Sequence, residues 1–350
     1  MTLQNLLGID LPIVQAPMAG VQGSALAIAV SNAGGLGSLP CAMLTPQALH
    51  AELEALRAGT ARPYNVNFFC HEPPAPDVAR DTAWRAALSP YYAELGIEPT
   101  QVPSGPGRAT FSDAAADVLA EFRPAVVSFH FGLPAPQLLE RVRAWGAKVL
   151  GSATTVQEAR WLEARGVDAV IAQGLEAGGH RGMFLASDPA TQIGTFALLP
   201  QVVRALRVPV IAAGGIADAS GVAAALAMGA AGVQVGTAYL LCPEATTSAV
   251  HRAALKEDGA WATAITNVFS GRPARGIVNR LMRELGPMSA LAPAFPLASA
   301  AVAPLRAAAE ARGSGDFSPL WCGQNPSGCR EVPAATLTRE LAAGVPRLHG

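Results

Sequence analysis

Eight times along this chain a strand-length apolar run leads into a glycine-bearing loop and an Ala/Leu-rich helix, and that repetition limits the folds open to it. The runs cover residues 12–18, 35–39, 64–69, 125–131, 148–153, 169–173, 208–213 and 232–236. The helices between them carry their own punctuation. Thr45 before Pro46 opens one that stops at Gly59, and Thr155-Val156-Gln157-Glu158 reads as a capping box for one ending at Gly166. Asp218 can cap a third that stops at Gly229. Strands alternating with helices pair in parallel through right-handed crossovers. Eight such units predict an α/β protein built on a TIM (β/α)8 barrel rather than an open sheet. Parallel strands buried on both faces also account for the absence of charge from 11–51 and 219–243. Gly20, Gly34 and Gly229 interrupt those stretches, so no membrane span is expected.

Two segments break the rhythm. Residues 71–123 hold Pro73, Pro74, Pro76, Pro90, Pro99, Pro103 and Pro106, too irregular for a plain crossover, and are expected to form an insertion over the barrel mouth. After Cys242 the strand pattern stops and helical stretches with Pro287, Pro293, Pro296 and Pro304 follow. The expected layout is a barrel over 1–243, interrupted by 71–123, then a mainly helical cap or second lobe over 244–350. A net charge of −1 with only 15% charged residues leaves no basic footprint for nucleic acid. The N-terminal ten residues show no signal-peptide pattern. Five cysteines (Cys41, Cys70, Cys242, Cys322, Cys329) without a C-x-x-C predict reduced thiols in a cytoplasmic protein, with no disulfide frame and no metal site. A homo-oligomer remains open.

In a barrel the site forms at the C-terminal strand ends. There the stretch Gln173-Gly174-Leu175-Glu176-Ala177-Gly178-Gly179-His180-Arg181-Gly182 is either a flexible surface loop or one wall of a site. Gly214-Gly215 and Gly236-Thr237, after strands seven and eight, suit a phosphate, because glycines there expose N–H groups near a following helix. The alternative is tight turns needed only for packing. Asn67 and Gln173 either present an amide to a flavin-like edge or cap neighbouring loops. His130, in Ser128-Phe129-His130-Phe131-Gly132, is either a base or a satisfied core histidine. His71 and Cys70 show no ligand spacing and are read as structural.

Taken in order, Gln15-Ala16-Pro17-Met18, Ser31 to Gly37, Asn65-Val66-Asn67, Ser128 to Gly132, Gln173 to Gly182, Ala212 to Ile216, Gln234 to Thr237 and Ser270 to Gly276 resemble the nitronate monooxygenases, formerly 2-nitropropane dioxygenases, especially their class I branch. The resemblance implies a barrel carrying non-covalent FMN. It maps cofactor contacts onto Asn67, Gln173, Gly178, Gly215, Gln234, Val235, Gly236 and Thr237, with Pro17, Met18, Gly179 and Gly214 as further expected neighbours. The family's catalytic histidine maps onto His130, with His180 and Phe131 on the substrate side and Arg181 a further candidate donor. The implied reaction oxidises an alkyl nitronate, or a neutral nitroalkane after proton removal by His130, with O2 to a carbonyl compound and nitrite. Departures fall at Phe295, Ser299 and near Ala303, where the class I pattern places tyrosines and a lysine, and no tyrosine counterpart stands near 106–111. The alternatives are an NAD(P)H-dependent FMN reductase for quinones or enoyl thioesters, and a flavin-binding barrel without turnover.

Overall fold

The structure, a computed structural model, describes residues 2–98, 100, 102–103 and 108–346. Pro99, Pro106 and the start of the 106–111 stretch lie outside the described residues. The strands are β1 (Ile13–Gln15), β2 (Gly37–Pro40), β3 (Tyr64–Phe69), β4 (Val126–His130), β5 (Lys148–Ala153), β6 (Ala169–Gln173), the two-residue β7 (Gly179–His180), β8 (Val210–Ala213), β9 (Gly232–Val235), β10 (Thr263–Thr266) and β11 (Ala274–Ile277). Eight of them form one parallel sheet in the order β1-β9-β8-β6-β5-β4-β3-β2. A parallel bridge between Val14 and Leu36 joins its two ends, so the sheet closes as the TIM-barrel reading expects. Each expected run holds a barrel strand; β1 ends soonest against expectation, with residues 16–18 already loop, while β2 runs one residue further, to Pro40.

Alternation along the strands builds two cores. Val14, Leu36, Val126, Leu150, Ile171 and Ile211 pack together inside the barrel, with Leu3 and Leu7 of the short helix Leu3–Leu7 in the same cluster. The outward set, including Ile13, Val127, Val149, Val170, Val210 and Val233, packs against the helices. The cap signals work as written: Thr45, Thr155 and Asp218 each accept a backbone N–H at the start of their helices.

Helix Asp113–Phe122 belongs to the outer ring, beside helices Pro46–Gly59 and Pro136–Arg143. The earlier helix Val78–Leu95 lies on helix Ala298–Glu310, and together they build a separate core from Trp84, Leu88, Tyr92, Val302, Leu305 and Phe317. Tyr92 donates its hydroxyl to the carbonyl of Ala301 at 2.7 Å. The terminal helix Ala334–Ala342 returns to the barrel between helices Ser24–Asn32 and Ala219–Ala227, where the hydroxyls of Thr338 and Tyr239 meet at 2.9 Å. Residues beyond 243 therefore build part of the ring as well as a lobe. A small antiparallel sheet, β10-β11-β7, ties that lobe to the loop after β6 and was not announced by the sequence pattern. Among the described residues no helix is long and apolar enough to cross a membrane, no His/Cys/Asp/Glu group could hold a metal, and all five cysteines are free.

Candidate active site

The barrel strands end around one cavity of about 1320 Å³, counted to its open mouth. Pro17, Met18, Asn67, His130, Gln173, Gly178, Gly179, His180, Gly214, Gly215, Gln234, Gly236 and Thr237 all line it. Two expected site residues stand elsewhere. Val235 is 1% exposed and packs outward into the core, because its side chain alternates with that of Gln234. Phe131 lies behind the wall, stacked with Phe69 and Phe295 at centroid distances of 4.8 and 5.4 Å.

The loop after β6 is held from several directions and is not a slack surface segment. Gln173 accepts the Gly182 N–H at 2.7 Å and donates to the His180 carbonyl at 3.0 Å, so its amide clamps its own loop. Arg181 is fully buried and points away from the cavity. It donates to the carbonyls of Gly174 (2.7 Å) and Gln173 (2.8 Å) and to Gln192 Oε1, which makes it a brace and not a contact for a ligand anion. Glu176 accepts the Thr195 N–H and hydroxyl, capping helix Thr195–Ala205, whose own N-cap, Gly194, has no side chain to offer. Pairing of β7 with β11 ties down the far end.

His130 ends β4 beside this loop. Its Nε2–H donates to the His180 carbonyl at 3.2 Å, which leaves Nδ1 as the ring's basic nitrogen. Burial, with Arg272 and Arg181 nearby, pushes its pKa down to about 3, so the imidazole is neutral near pH 7. A Cβ on Gly182 would come within 2.9 Å of the His130 Cε1; only glycine leaves room for the ring there. The chain then turns through Phe131 at φ +70°, a strained angle for an aromatic residue directly after the histidine. His180 meets the Ser270 hydroxyl at 2.8 Å, and burial drives its pKa well below the ordinary histidine value.

The opposite wall presents glycines and backbone donors. Gly214 and Gly215 take φ values of +116° and +73°, which side-chain-bearing residues rarely adopt. The N–H groups of Gly215 and Thr237, the latter opening the 3-10 turn Thr237–Leu241, donate to no protein acceptor among the described residues. Free N–H groups at a turn start suit a phosphate. Gln234 supplies a buried Oε1 without a partner, and Asn67 is oriented by its donation to Ser128 Oγ at 2.9 Å.

Sequence reasoning missed a third contribution. Trp321, Gly323 and Asn325 reach the cavity from the C-terminal region; Gly323 donates to Thr237 Oγ1 at 2.9 Å and Asn325 to the Gly215 carbonyl at 3.0 Å. The turn-rich run Gly323-Gln324-Asn325-Pro326-Ser327-Gly328 was the available signal. Arg108 and His251, also on the wall, had none.

Comparison with known proteins places the chain as follows. A model of the nitronate monooxygenase family matches residues 1–344. A nitronate monooxygenase of Pseudomonas aeruginosa is 46% identical over 339 residues, covering 96% of this chain and 97% of the relative. One from Paraburkholderia phytofirmans is 43% identical over 342 residues, covering 97% and 93%. Among solved structures, nitroalkane oxidase from Streptomyces ansochromogenes superposes with a TM-score of 0.88 at 41% identity, covering 98% and 97%. FabK from Thermotoga maritima gives 0.72 at 27% identity, covering 98% and 96%. The chain belongs to the nitronate monooxygenase family.

Proposed function

We propose that this protein is an FMN-dependent nitronate monooxygenase, oxidising alkyl nitronates with O2 to a carbonyl compound and nitrite. The observation that carries the reading is one cavity joining a neutral, buried histidine to a glycine cradle across the strand ends. The cradle fits the cofactor: Gly178, Gly179, Gly214, Gly215, Gly236 and Thr237 would hold its phosphate, with Gly323 and Asn325 bracing that wall. The orphaned Oε1 of Gln234 offers the acceptor that a flavin's N–H needs, and Pro17, Met18 and Asn67 complete the bed. When bound, FMN supplies the redox chemistry, taking electrons from the substrate and passing them to O2.

The chain's own residues orient and desolvate. His130 Nδ1 holds or accepts the α-proton, while its Nε2–H, fixed on the His180 carbonyl, keeps the tautomer constant. So weak a base takes a carbon-bound proton slowly, which favours preformed nitronates over neutral nitroalkanes. Phe69 and Ala42 give the wall an apolar surface that limits water. Replacing His130 by Asn tests the role: FMN content should persist, while nitrite release from nitroethane falls by about 100-fold or more. Unchanged nitroethane turnover would remove His130 as the base.

A reductase on the same scaffold is the second reading, since Phe295 and Ser299 stand where the family's tyrosines are expected.

A further inference from the structure

We propose that Arg108 is the specificity-determining residue of this site, contacting the two oxygens of a nitronate and so selecting the anion over its neutral nitroalkane. The identity of the ligand rests on the function proposed above; the anion contact itself does not.

Arg108 lines the same cavity as His130 and His180, entering from the end of the insertion rather than from a barrel strand. Its Nη1 donates to Ser299 Oγ at 2.9 Å, and its guanidinium lies 5.7 Å from the Phe295 ring centre. Its Nε is buried and has no hydrogen-bond partner among the described residues. Among the described residues no carboxylate pairs with it, and the charge that acts on it most is a second cation, Arg306. Burial lowers its pKa to about 10, which leaves it charged near pH 7.

Among the described residues the surroundings give Arg108 no carboxylate: the opposite charge acting on the neighbouring Arg272 is Glu158, whose oxygens are taken by the N–H groups of Thr154, Phe184 and Leu185. Arg272 sits 4.0 Å over Phe131 and His71 meets Phe295 edge-on at 4.8 Å, and each has a buried ring or guanidinium nitrogen without a partner among the described residues. Glu176, the carboxylate on the cavity wall, is occupied by its cap on Thr195. A desolvated guanidinium with no anion is costly, and a planar anion presenting two oxygens matches its fork. Arg272 is the weaker candidate because it already donates to the Met183 carbonyl. Among the described residues the hydrogen-bond partner of Arg108 is a hydroxyl that can rotate to a new acceptor. A neutral nitroalkane carries far less charge on the same oxygens, so loss of the cation should penalise the nitronate selectively.

The test titrates oxidised, flavin-loaded enzyme with nitrite, a planar anion with the same O–N–O unit, and follows flavin absorbance. Arg108→Gln should weaken nitrite binding about tenfold, as expected for one charge-assisted hydrogen bond, with Arg108→Lys recovering part of the loss. KM for ethyl nitronate should rise in step, with the effect on KM rather than kcat, while KM for nitroethane stays put. Matched flavin content and melting temperature exclude a folding defect. Wild-type nitrite affinity in Arg108→Gln, or equal KM increases for nitronate and nitroethane, overturns the proposal. If ethyl nitronate fails to reduce the wild-type flavin while Arg108→Gln still loses nitrite, the reaction falls and the anion contact stands.

Discussion

His130, His180, His71 and His251 are all held as neutral rings by burial, and their neutrality has a consequence beyond chemistry. The ordinary value is 6.5; burial brings His130 to about 3 and His251 to about 4. The unfolded chain therefore takes up protons first as pH falls. Stability is complete above the unfolded value and is lost as pH drops through 6.5 toward the folded values, at up to about 1.4 kcal/mol per pH unit for each such histidine. Melting temperature should accordingly fall steadily from about pH 7 to 5, and His251→Asn should reduce that slope by roughly one proton's worth. A melting temperature flat across that range contradicts the account. At this scale the sequence was partly legible. Amides and glycines at strand ends marked the cavity, and strand alternation, with Gln234 inward, points the Val235 side chain to the other face.

The stretch from Gln173 to Gly182, running from the end of β6 past β7, shows how an element with four glycines in ten residues becomes rigid. Its order comes from side chains that face inward along the loop: the Gln173 amide, the Arg181 guanidinium and the Glu176 carboxylate. Arg181→Met should keep the bulk but strand two buried carbonyls, costing about 2–4 kcal/mol in denaturant unfolding and lowering the temperature of flavin release. A loss below about 0.5 kcal/mol would show that the loop is held without it. Barrel strands could be read from sequence because burial on both faces makes each an apolar run. The pairing of β7 with β11 could not: His180 meets Ala274 across a long loop, and two residues carry no periodicity. Arg108 and the Trp321–Asn325 wall were hidden for the same reason, since they reach the cavity from segments remote in sequence.

At the scale of the molecule, the closed parallel barrel provides the floor of the site and the rest of the chain provides its rim. The insertion helix Val78–Leu95 and helix Ala298–Glu310 share a core of their own, so the segments bearing Arg108, Ser299 and Phe295 are positioned by packing outside the barrel. The terminal helix Ala334–Ala342 anchors the other end of that region on the ring. On the proposed function, the barrel floor would hold the flavin and the rim would decide which small molecule delivers the electrons. The decisive measurement is anaerobic mixing of the flavin-loaded enzyme with ethyl nitronate, NADH or NADPH while flavin absorbance is followed. The account predicts rapid bleaching by ethyl nitronate and none by either pyridine nucleotide on that timescale; bleaching by NADH or NADPH with none by the nitronate would contradict it.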